Sequence, residues 1–349
     1  MNQQVGSGSL CFAEAPFILS SASVVGTKEG EGPLAEEFDC IGEDDKFGQD
    51  TWEAAESTLQ QEALTLALGK ADMQPEEIRY LFAGDLLGQL IASSFGLKSF
   101  QIPMFGLYGA CSTCGEGLAL SAMTVAAGYA DAVALVTSSH FASAEKQFRF
   151  PLEYANQRPV AATWTVTGSG AYVLGSEASL AKGRKQTRPL AKIAGITTGK
   201  IVDFGVKDSM NMGAAMAPAA CELIAQHLDD FKREPADYDA VVTGDLGLVG
   251  QEILIDLLRK KDIELGEVHE DCGIKIFDNQ TQGTGSGGSG CGCAAATLSA
   301  HYLPKLFKGE WKRILFVPTG ALMSTVSFNE GETIPGIAHG IVIESCTKS

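Results

Sequence analysis

The 349-residue sequence lacks the features that would place it in several common classes of protein. No uncharged apolar run approaches the ~18 residues that a membrane-spanning helix needs, and the first ten residues contain no Lys or Arg. We therefore expect neither a transmembrane segment nor a secretory signal peptide. The sequence also has no P-loop, no GxGxxG after a strand, no HExxH and no EF-hand loop. These absences argue against a nucleotide-binding, zinc-protease or EF-hand function.

Basic residues are scarce. The sequence has 26 Lys and Arg residues against 43 Asp and Glu residues, which gives a formal net charge of −17. Residues 1–77 hold sixteen of the acidic residues and only three basic ones, a distribution that is typical of a solvated acidic surface. Because a chain of this charge repels phosphate backbones and anionic lipids, we expect no nucleic acid partner.

The nine cysteines are an odd number in a chain that is too long for a disulfide-stabilised miniprotein. Such a set favours free thiols in a reducing compartment. We therefore expect the protein to be cytoplasmic, or to be held at the cytosolic side of a membrane through partner subunits.

An internal repeat is the most informative positive feature. A short apolar strand followed by Gly-Asp-Leu and a Gly-Gln turn occurs near residue 80 and again near residue 240. A small-residue helix that begins at a cysteine, and a strand that begins at a glycine, also recur in the same order. The matched positions are Asp85 and Asp245, Cys111 and Cys291, and Gly170 and Gly340.

The pattern of strands and helices indicates an α/β fold. Segments 132–136, 240–243 and 314–317 are apolar on both faces, as buried central strands must be. Between such strands, residues 50–68 and 218–231 read as helices; Asp50 and Glu53 are spaced as a capping box, and Pro218 suits a first helical turn. This alternation predicts mixed sheets with helices on both faces.

The repeat also predicts two halves. We place the first at residues 1–180, where it carries Cys111, and the second at residues 181–349. The predicted division lies near residues 179–189, a polar and basic stretch that is typical of a surface crossover.

Cys111 is the sharpest candidate for chemistry, because it lies where a predicted strand passes into a helix of small residues. A helix N-terminus presents free N–H groups and a partial positive charge. That environment lowers a thiol pKa and stabilises a thiolate, or it binds an anion such as a carboxylate. Three other interpretations stay open: a buried cysteine that fills space, a redox dithiol with Cys114, and a zinc site with Cys114, Cys291 and Cys293.

Three further side chains follow the strand at 132–137. His140 comes directly after it, where sheets of this kind place binding residues. Arg149 and Arg158 lie in the next loop, and their guanidinium groups suit bidentate recognition of a carboxylate. The plain alternatives are a structural histidine and surface arginines. His227, which is surrounded by charged residues in a predicted helix, is expected at the surface.

The glycine-rich segment 281–290 matches the turn before Cys111, so we interpret it as a tight turn that faces the same pocket rather than as a linker. Thr281 and Gln282 would be neutral donors that line the pocket. Three methionines form an apolar wall of this pocket or pack in the core: Met210, Met212 and Met216.

These residues resemble a known superfamily. Two similar halves, a cysteine that begins a small-residue helix in the first, and a glycine-rich turn before the matching helix in the second are the thiolase-like arrangement. Within that superfamily the sequence most resembles the stage V sporulation protein AD family of endospore formers. The segments that carry this resemblance are FGLYGACST (105–113), FRFPLEYANQRP (148–159), WTVTG (164–168), GKIVDFGVKD (199–208), NMGAAMAP (211–218) and TGDLG (243–247).

The resemblance implies a duplicated five-layer αβαβα fold and a homodimer with the strand beside Cys111 at its interface. It also implies a soluble subunit of the spore membrane transport complex, peripherally attached to the spore inner membrane through membrane subunits of that stage V complex. The complex moves dipicolinic acid as its calcium chelate, and this subunit would bind that ligand where related enzymes bind acyl groups. No cofactor is implied, and calcium would come only with the ligand.

The sequence departs from the enzymes of the superfamily, which pair the cysteine with His and His or His and Asn from the second half. Asp245 stands at one of these positions, and segment 281–290 has no His or Asn. General base catalysis is worth roughly 10²–10⁴ in rate. We therefore predict a non-catalytic binding protein in which Cys111 is a residual nucleophile. The alternatives are an active acyltransferase that uses Cys111, and a purely structural scaffold.

In the predicted site, Cys111, Ser112 and the adjacent amides hold one carboxylate of the ligand. His140, Arg149 or Arg158 pairs with the other carboxylate. Asp85 and Asp245 lie near the calcium of the ligand or accept hydrogen bonds.

Overall fold

A computed structural model of the protein describes residues 3–148, 158–180 and 188–347. The described strands are β1 (Gln4–Val5), β2 (Ser9–Cys11), β3 (Phe17–Val25), β4 (Cys40–Ile41), β5 (Tyr80–Gly84), β6 (Met104–Leu107), β7 (Ala132–Ser139), β8 (Trp164–Thr165), β9 (Gly168–Gly175), β10 (Ala191–Thr198), β11 (Ala240–Thr243), β12 (His269–Asp271), β13 (Gly288–Ser289), β14 (Arg313–Val317), β15 (Thr319–Ala321) and β16 (Gly336–Glu344).

The described helices are α1 (Thr27–Gly30), α2 (Trp52–Ala71), α3 (Ile91–Leu97), α4 (Thr113–Ala126), α5 (Phe141–Phe148), α6 (Glu177–Leu180), α7 (Met212–Phe231), α8 (Gly247–Arg259), α9 (Cys272–Ile276), α10 (Cys291–Thr297), α11 (Leu303–Lys308) and α12 (Thr325–Asn329). A π-helical turn at Leu298–Tyr302 joins α10 to α11. None of the helices in the described part of the chain is long and apolar enough to span a bilayer.

Two five-stranded units with the same strand order form the main sheet. The first has the order β3-β9-β7-β5-β6, and the second has the order β10-β16-β14-β11-β12. Each unit has four pairs of neighbouring strands. In the order given, the first two pairs are antiparallel and the last two pairs are parallel. The units meet where β10 pairs with β3 over two residues. The repeat detected in the sequence is thus a repeat of topology.

Helices α4 and α10 lie between the two units, while α2 and α3 cover the outer face of the first and α7 and α8 that of the second. The central helices are rich in Gly, Ala and Cys because the strands approach them closely. A Cβ atom at Gly292 would lie 2.2 Å from the carbonyl oxygen of Gly168. The predicted α/β fold with five αβαβα layers is confirmed.

The candidate residues come together because parallel strands present their carboxyl ends at one edge of a sheet. Asp85 follows β5, and Cys111 lies four residues after β6. His140 follows β7, and Asp245 lies two residues after β11. Both units therefore direct their loops toward the start of the central helices.

Two predicted helix starts are wrong. Helix α2 begins at Trp52 after the N-cap Thr51, whose hydroxyl accepts a hydrogen bond from the Ala54 amide, so Asp50 is not the cap. Helix α7 begins at Met212 rather than Pro218, because the Asn211 side chain accepts a hydrogen bond from the Ala214 amide. Pro218 therefore lies inside the helix.

The expectation of a surface position for His227 is also wrong. Its ring is fully buried, with Nδ1 2.6 Å from the Thr197 hydroxyl and Nε2 2.6 Å from the Tyr238 hydroxyl. Burial lowers the pKa of His227 to about 3, so the ring is neutral. Asp229 and Lys232 are exposed, whereas Asp230 is buried and accepts hydrogen bonds from Ser7, Gly8 and Ser9.

The predicted boundary between residues 180 and 181 adjoins residues 181–187, which lie outside the described residues. It stays a prediction.

Candidate functional site

Cys111 lies in a tight turn between β6 and α4. Ala110 has a φ of 52°, in the left-handed region that non-glycine residues rarely adopt, and residues 110–112 form a 3-10 turn. Strand β15 passes directly beside this turn, because a Cβ atom at Gly320 would lie 2.5 Å from the Gly109 carbonyl oxygen. A glycine at position 320 is therefore what allows the second half to touch the Cys111 turn.

A cavity of about 280 Å³ opens beside Cys111 and is built from both halves. Its lining residues are uncharged and mostly apolar in the described part of the chain. They are Leu86, Tyr108, Ala110, Cys111, Gln147, Met212, Ser289, Gly290, Ala321, Leu322, Met323, Ser324 and Thr325. The volume is near the lower end of the ~300–1,000 Å³ range of small-molecule sites, which suits a ligand with a single ring.

Asp245 lies behind the Cys111–Gly290 side of this cavity and is fully buried. Its Oδ2 accepts a hydrogen bond of 2.9 Å from the Gly290 amide, and its carboxyl group interacts with the Cys111 thiol. Burial raises the pKa of Asp245 to about 7, although the contacts with Cys111 and Gly290 lower it in part. Near neutral pH this carboxyl group therefore exists in both protonated and ionised forms.

The Cys111 thiol is not activated. Burial raises the pKa of Cys111 well above its ordinary value, and the Asp245 carboxylate raises it further, whereas the Gly290 amide lowers it only in part. The expectation that the helix start lowers this thiol pKa is therefore wrong, because desolvation and the neighbouring acid outweigh the partial charge of the helix.

The other three cysteines of the alternative interpretations are buried as well. Cys291, the repeat partner of Cys111, donates a hydrogen bond through its thiol to the Ser138 carbonyl oxygen at 2.9 Å. All nine cysteines are free thiols. Within residues 3–148, 158–180 and 188–347, no three His, Cys, Asp or Glu side chains are grouped so that they could hold a metal ion. The zinc alternative and a Cys111–Cys114 disulfide are not supported.

Ser112 is buried but turns back onto its own loop. Its hydroxyl donates a hydrogen bond of 2.6 Å to the Gly109 carbonyl oxygen, and the residue does not line the cavity. The residue therefore stabilises the turn that carries Cys111.

Asp85 is fully buried and has hydrogen-bond partners on both oxygens. Oδ1 accepts a bond from the Leu87 amide at 2.8 Å, and Oδ2 accepts bonds from the amide and the hydroxyl of Ser93 at 2.9 and 2.6 Å. Burial raises the pKa of Asp85. Asp85 shapes the turn into α3 and lies outside the lining of the cavity, where only the next residue, Leu86, contributes.

His140 is buried against two aromatic rings and does not line the cavity. Its Nε2 donates to the Asp45 carbonyl oxygen at 2.7 Å, and its Nδ1 accepts from the Ala142 amide at 3.1 Å. Trp52 and Phe141 pack against the ring at 5.4 and 5.3 Å between centroids. Burial lowers the pKa of His140, so the neutral ring has a structural role.

Arg158 is placed apart from the cavity. It forms a salt bridge with Glu145, donates to the Thr163 carbonyl oxygen and lies over the ring of Trp164. Arg149, the other predicted arginine, lies outside the described residues.

Thr281 and Gln282 lie away from the cavity, on the far side of the glycine-rich segment. Gln282 donates through Nε2 to the Lys28 carbonyl oxygen at 2.7 Å, and Thr281 is exposed. Only the end of the segment, at Ser289 and Gly290, reaches the cavity. The prediction that the segment faces the pocket holds for these two residues and not for Thr281 and Gln282.

Several lining residues were not predicted. Tyr108 lies in the segment 105–113 that carries the family resemblance, but nothing there marks it as a lining residue, and Gln147 lies in no motif. Ser324 and Thr325 reach the cavity only because β15 returns beside the Cys111 turn. Met212 does line the cavity, as one of the two interpretations of the methionines held. Gly320 is the one sequence signal that could have indicated that residues 321–325 lie at the cavity.

Comparison with solved structures defines the class of the fold. The structure of the Acat5 thiolase from Ascaris suum in complex with coenzyme A matches 95% of this chain and 100% of its own, with a TM-score of 0.59 and 12% identity. The tetronic acid condensing enzyme AbyA1 matches 94% of this chain and 99% of its own, with a TM-score of 0.56 and 16% identity. The fold is therefore thiolase-like.

Sequence comparison is more specific. The family model of stage V sporulation protein AD matches residues 6–344. The stage V sporulation protein AD of Bacillus subtilis (strain 168) is 40% identical over 333 residues, which is 95% of each chain. The chain belongs to the stage V sporulation protein AD family, and the resemblance seen in its motifs is confirmed.

Proposed function

We propose that the protein is a non-catalytic member of the sporulation apparatus that binds dipicolinic acid, alone or as its calcium chelate, in the cavity beside Cys111. It would act as the soluble subunit of a spore transport complex, held at the cytoplasmic face of the spore inner membrane by membrane subunits. The observation that carries the proposal is a ligand-sized cavity whose one cysteine, among the described lining residues, has a raised thiol pKa and lies next to a buried carboxyl group.

The surroundings of Cys111 oppose acyl transfer. A cysteine nucleophile must form a thiolate, and burial together with Asp245 raises the pKa of this thiol. An oxyanion that formed beside Cys111 would lie close to the same carboxylate, where preorganised donors are needed instead. Among the described lining residues, none is a histidine or a charged residue that could serve as the base.

The volume and the lining of the cavity support a small aromatic dicarboxylate as the ligand. Apolar walls from Met212, Leu322 and Met323 would contact the ring, while Gln147 and Thr325 offer neutral donors to carboxylate oxygens. No cation lines the described part of the cavity, and an uncompensated buried charge is costly. The net-neutral calcium chelate is therefore a better match than the free dianion, with the calcium held by the ligand.

Calorimetry and mass spectrometry on the full chain test this proposal together. We expect dipicolinate with calcium to bind, and we expect the intact mass to be unchanged after incubation with acetyl- or malonyl-coenzyme A. Ala321→Leu, which fills the cavity, should weaken binding at least about tenfold. Ala127→Leu, the same change at an exposed position at the end of α4, is the matched control. No binding, or an acyl group on Cys111, would overturn the proposal.

The second candidate is an acyltransferase that uses Cys111. The observation in its favour is that Cys111 lines a cavity at the start of a central helix in a fold shared with thiolases and condensing enzymes. It predicts the acyl adduct on Cys111 that the first proposal excludes, and the adduct should disappear in Cys111→Ala.

We also propose that the protein forms a homodimer along β6. Among the described strands β6 pairs only with β5, so its other edge is open. Met104 and Phe105 on it are 40% and 52% exposed. An open apolar edge is suited to pairing with a second copy. Sedimentation should show a dimer, and Phe105→Lys should shift it to monomer; a parent protein that sediments as a monomer would contradict the proposal.

A further inference from the structure

The Asp245 carboxyl group has one oxygen without a partner. Oδ2 accepts the Gly290 amide, but Oδ1 is buried and has no hydrogen-bond partner in the structure. The two residues that contact this carboxyl group, Cys111 and Gly290, both line the cavity. Buried polar atoms are normally paired, so an unpaired one beside a cavity points to a group that arrives with a ligand or a proton.

Within the part of the chain that the structure describes, the groups that face Asp245 offer it no positive charge. They are the thiols of Cys111, Cys272, Cys291 and Cys293 and the carboxyl group of Asp271. The four thiols are neutral, because burial raises their pKa values well above the ordinary value. Asp271 already accepts hydrogen bonds from Thr243 and from the Leu246, Gly247 and Ile274 amides. An ionised Asp245 would therefore be compensated only by two neutral donors, the Cys111 thiol and the Gly290 amide, among the described residues.

An anion bound against Cys111 and Gly290 would be separated from Asp245 by these two residues, both of which contact its carboxyl group. Two negative charges at such a separation in a buried site cannot both persist at little cost, and the usual outcome is that one of the groups keeps a proton. Dipicolinate has both carboxyl groups ionised at neutral pH, since ordinary carboxyl groups titrate near pH 4. Asp245, which titrates near neutrality, is the group that takes up the proton.

We propose that Asp245 determines which charge form of the ligand the cavity accepts: the free dicarboxylate enters together with one proton from solvent, which binds Oδ1 of Asp245, whereas the neutral calcium chelate enters without one. This inference rests on the proposed function. Asp245 acts here as a specificity-determining residue that responds to the charge of the ligand.

Proton uptake on binding gives the direct test. The full chain is titrated with dipicolinate in the presence of a calcium chelator, in pairs of buffers that differ in ionisation enthalpy. We expect up to one proton to be taken up per ligand above about pH 7, with an affinity that falls up to about tenfold per pH unit. With saturating calcium we expect no proton uptake and no such pH dependence. Infrared difference spectra should show a protonated carboxyl band growing as free dipicolinate binds.

Asp245→Asn keeps an oxygen for the Gly290 amide and cannot be ionised, so it should abolish the proton uptake. Glu29→Gln is the matched control: Glu29 is equally buried, also has one unpartnered oxygen and does not line the cavity. It should leave the uptake unchanged. Binding of free dipicolinate without proton uptake, or uptake that survives in Asp245→Asn, overturns the role of Asp245 alone. The infrared band keeps the inference testable if Asp245→Asn does not fold. Absence of binding in both ligand forms overturns the proposed function itself.

Discussion

Two aspartates at matching positions of the repeat have taken different roles. Asp85 follows β5 in the first half and accepts three hydrogen bonds from the start of α3. Asp245 follows β11 in the second half, accepts the Gly290 amide through Oδ2 and contacts the Cys111 thiol, while its Oδ1 has no hydrogen-bond partner. One copy therefore shapes a turn, and the other is placed at the cavity with unused hydrogen-bonding capacity.

The difference arises from the neighbours of each aspartate. Ser93 binds Asp85 through its amide and its hydroxyl, whereas no hydroxyl group in the described part of the chain donates a hydrogen bond to Asp245. The amide of Gly247, which matches Leu87, donates to Asp271 instead. In the second half, Asp271 thus has the turn-shaping role that Asp85 has in the first.

The largest expected effect is on the free energy of unfolding, which should respond differently to substitution of the two aspartates. Asp85→Ala should lower the free energy of unfolding by about 3 kcal/mol, because two buried amides and a hydroxyl lose their acceptor. Asp245→Ala should cost at most about 1 kcal/mol, since one amide loses its acceptor while an unpaired buried oxygen is removed. Urea unfolding of both variants measures the difference. Equal losses would show that the two positions have the same structural role.

The residues just before the two repeat cysteines sharpen the comparison. Gly290 has a φ of 106°, and a Cβ atom there would lie 2.5 Å from the Ser139 hydroxyl oxygen. Gly290→Ala should therefore destabilise the protein by about 2–3 kcal/mol. Ala110→Gly should change stability by less than about 1 kcal/mol. Glycine removes the backbone strain of alanine at a φ of 52°, but it also gives the unfolded chain more conformational freedom, and the two effects offset each other. Thermal unfolding compares the two; a large effect at Ala110 would contradict this assignment.

The reactivity of the thiols is expected to show a smaller effect, which is measured as the rate of alkylation. Near pH 8, Cys111 should react with iodoacetamide at least about tenfold more slowly than the exposed Cys11, since only the thiolate reacts. Asp245→Asn should raise the Cys111 rate several-fold by removing the adjacent negative charge. Cys291, which is buried behind Ser138, should stay unmodified. Peptide mapping by mass spectrometry follows each site, and fast alkylation of Cys111 in the parent protein would exclude a protonated thiol.

The last comparison is the slope of stability against pH. The folded protein holds a proton on Asp245 up to about pH 7, whereas the unfolded chain loses it near pH 4. Stability should therefore fall as pH rises from about 4 to about 7, by on the order of 1 kcal/mol per pH unit from this group. Asp245→Asn should reduce the slope in that window only. Burial raises the pKa of Glu29 to about 8, so this residue should likewise lower stability as pH rises, up to about pH 8. Denaturant titrations across the range measure both slopes, and an unchanged slope in Asp245→Asn would contradict the assignment.

Much of the fold could be predicted from the sequence. The repeat, together with strands that are apolar on both faces, indicates two matching sheets with helices around them. Helix starts were harder to predict. Asn211 is a good cap, but Pro218 gave the stronger signal, and a proline inside a helix is uncommon enough to mislead.

The site was only partly predictable. Cys111 and Gly290 follow from their positions at helix starts, and Asp245 follows from the repeat. His140 and Arg158 follow the same logic, yet each is satisfied by neighbours that sequence spacing does not reveal: the Asp45 carbonyl oxygen and the Glu145 carboxylate. Proximity to a strand end placed these side chains at the correct edge of the sheet without fixing the direction in which they point.

The close approach at Gly320 has a mechanical consequence. Strand β15 pairs with β16, and the residue after Gly320 lines the cavity while Gly320 itself touches the Cys111 turn. With no side chain between the two backbones, the segment that lines one wall of the cavity packs directly against the loop that carries the Cys111 sulfur. A larger residue at position 320 would therefore disturb two parts of the cavity at once, its wall at Ala321 and the turn at Cys111.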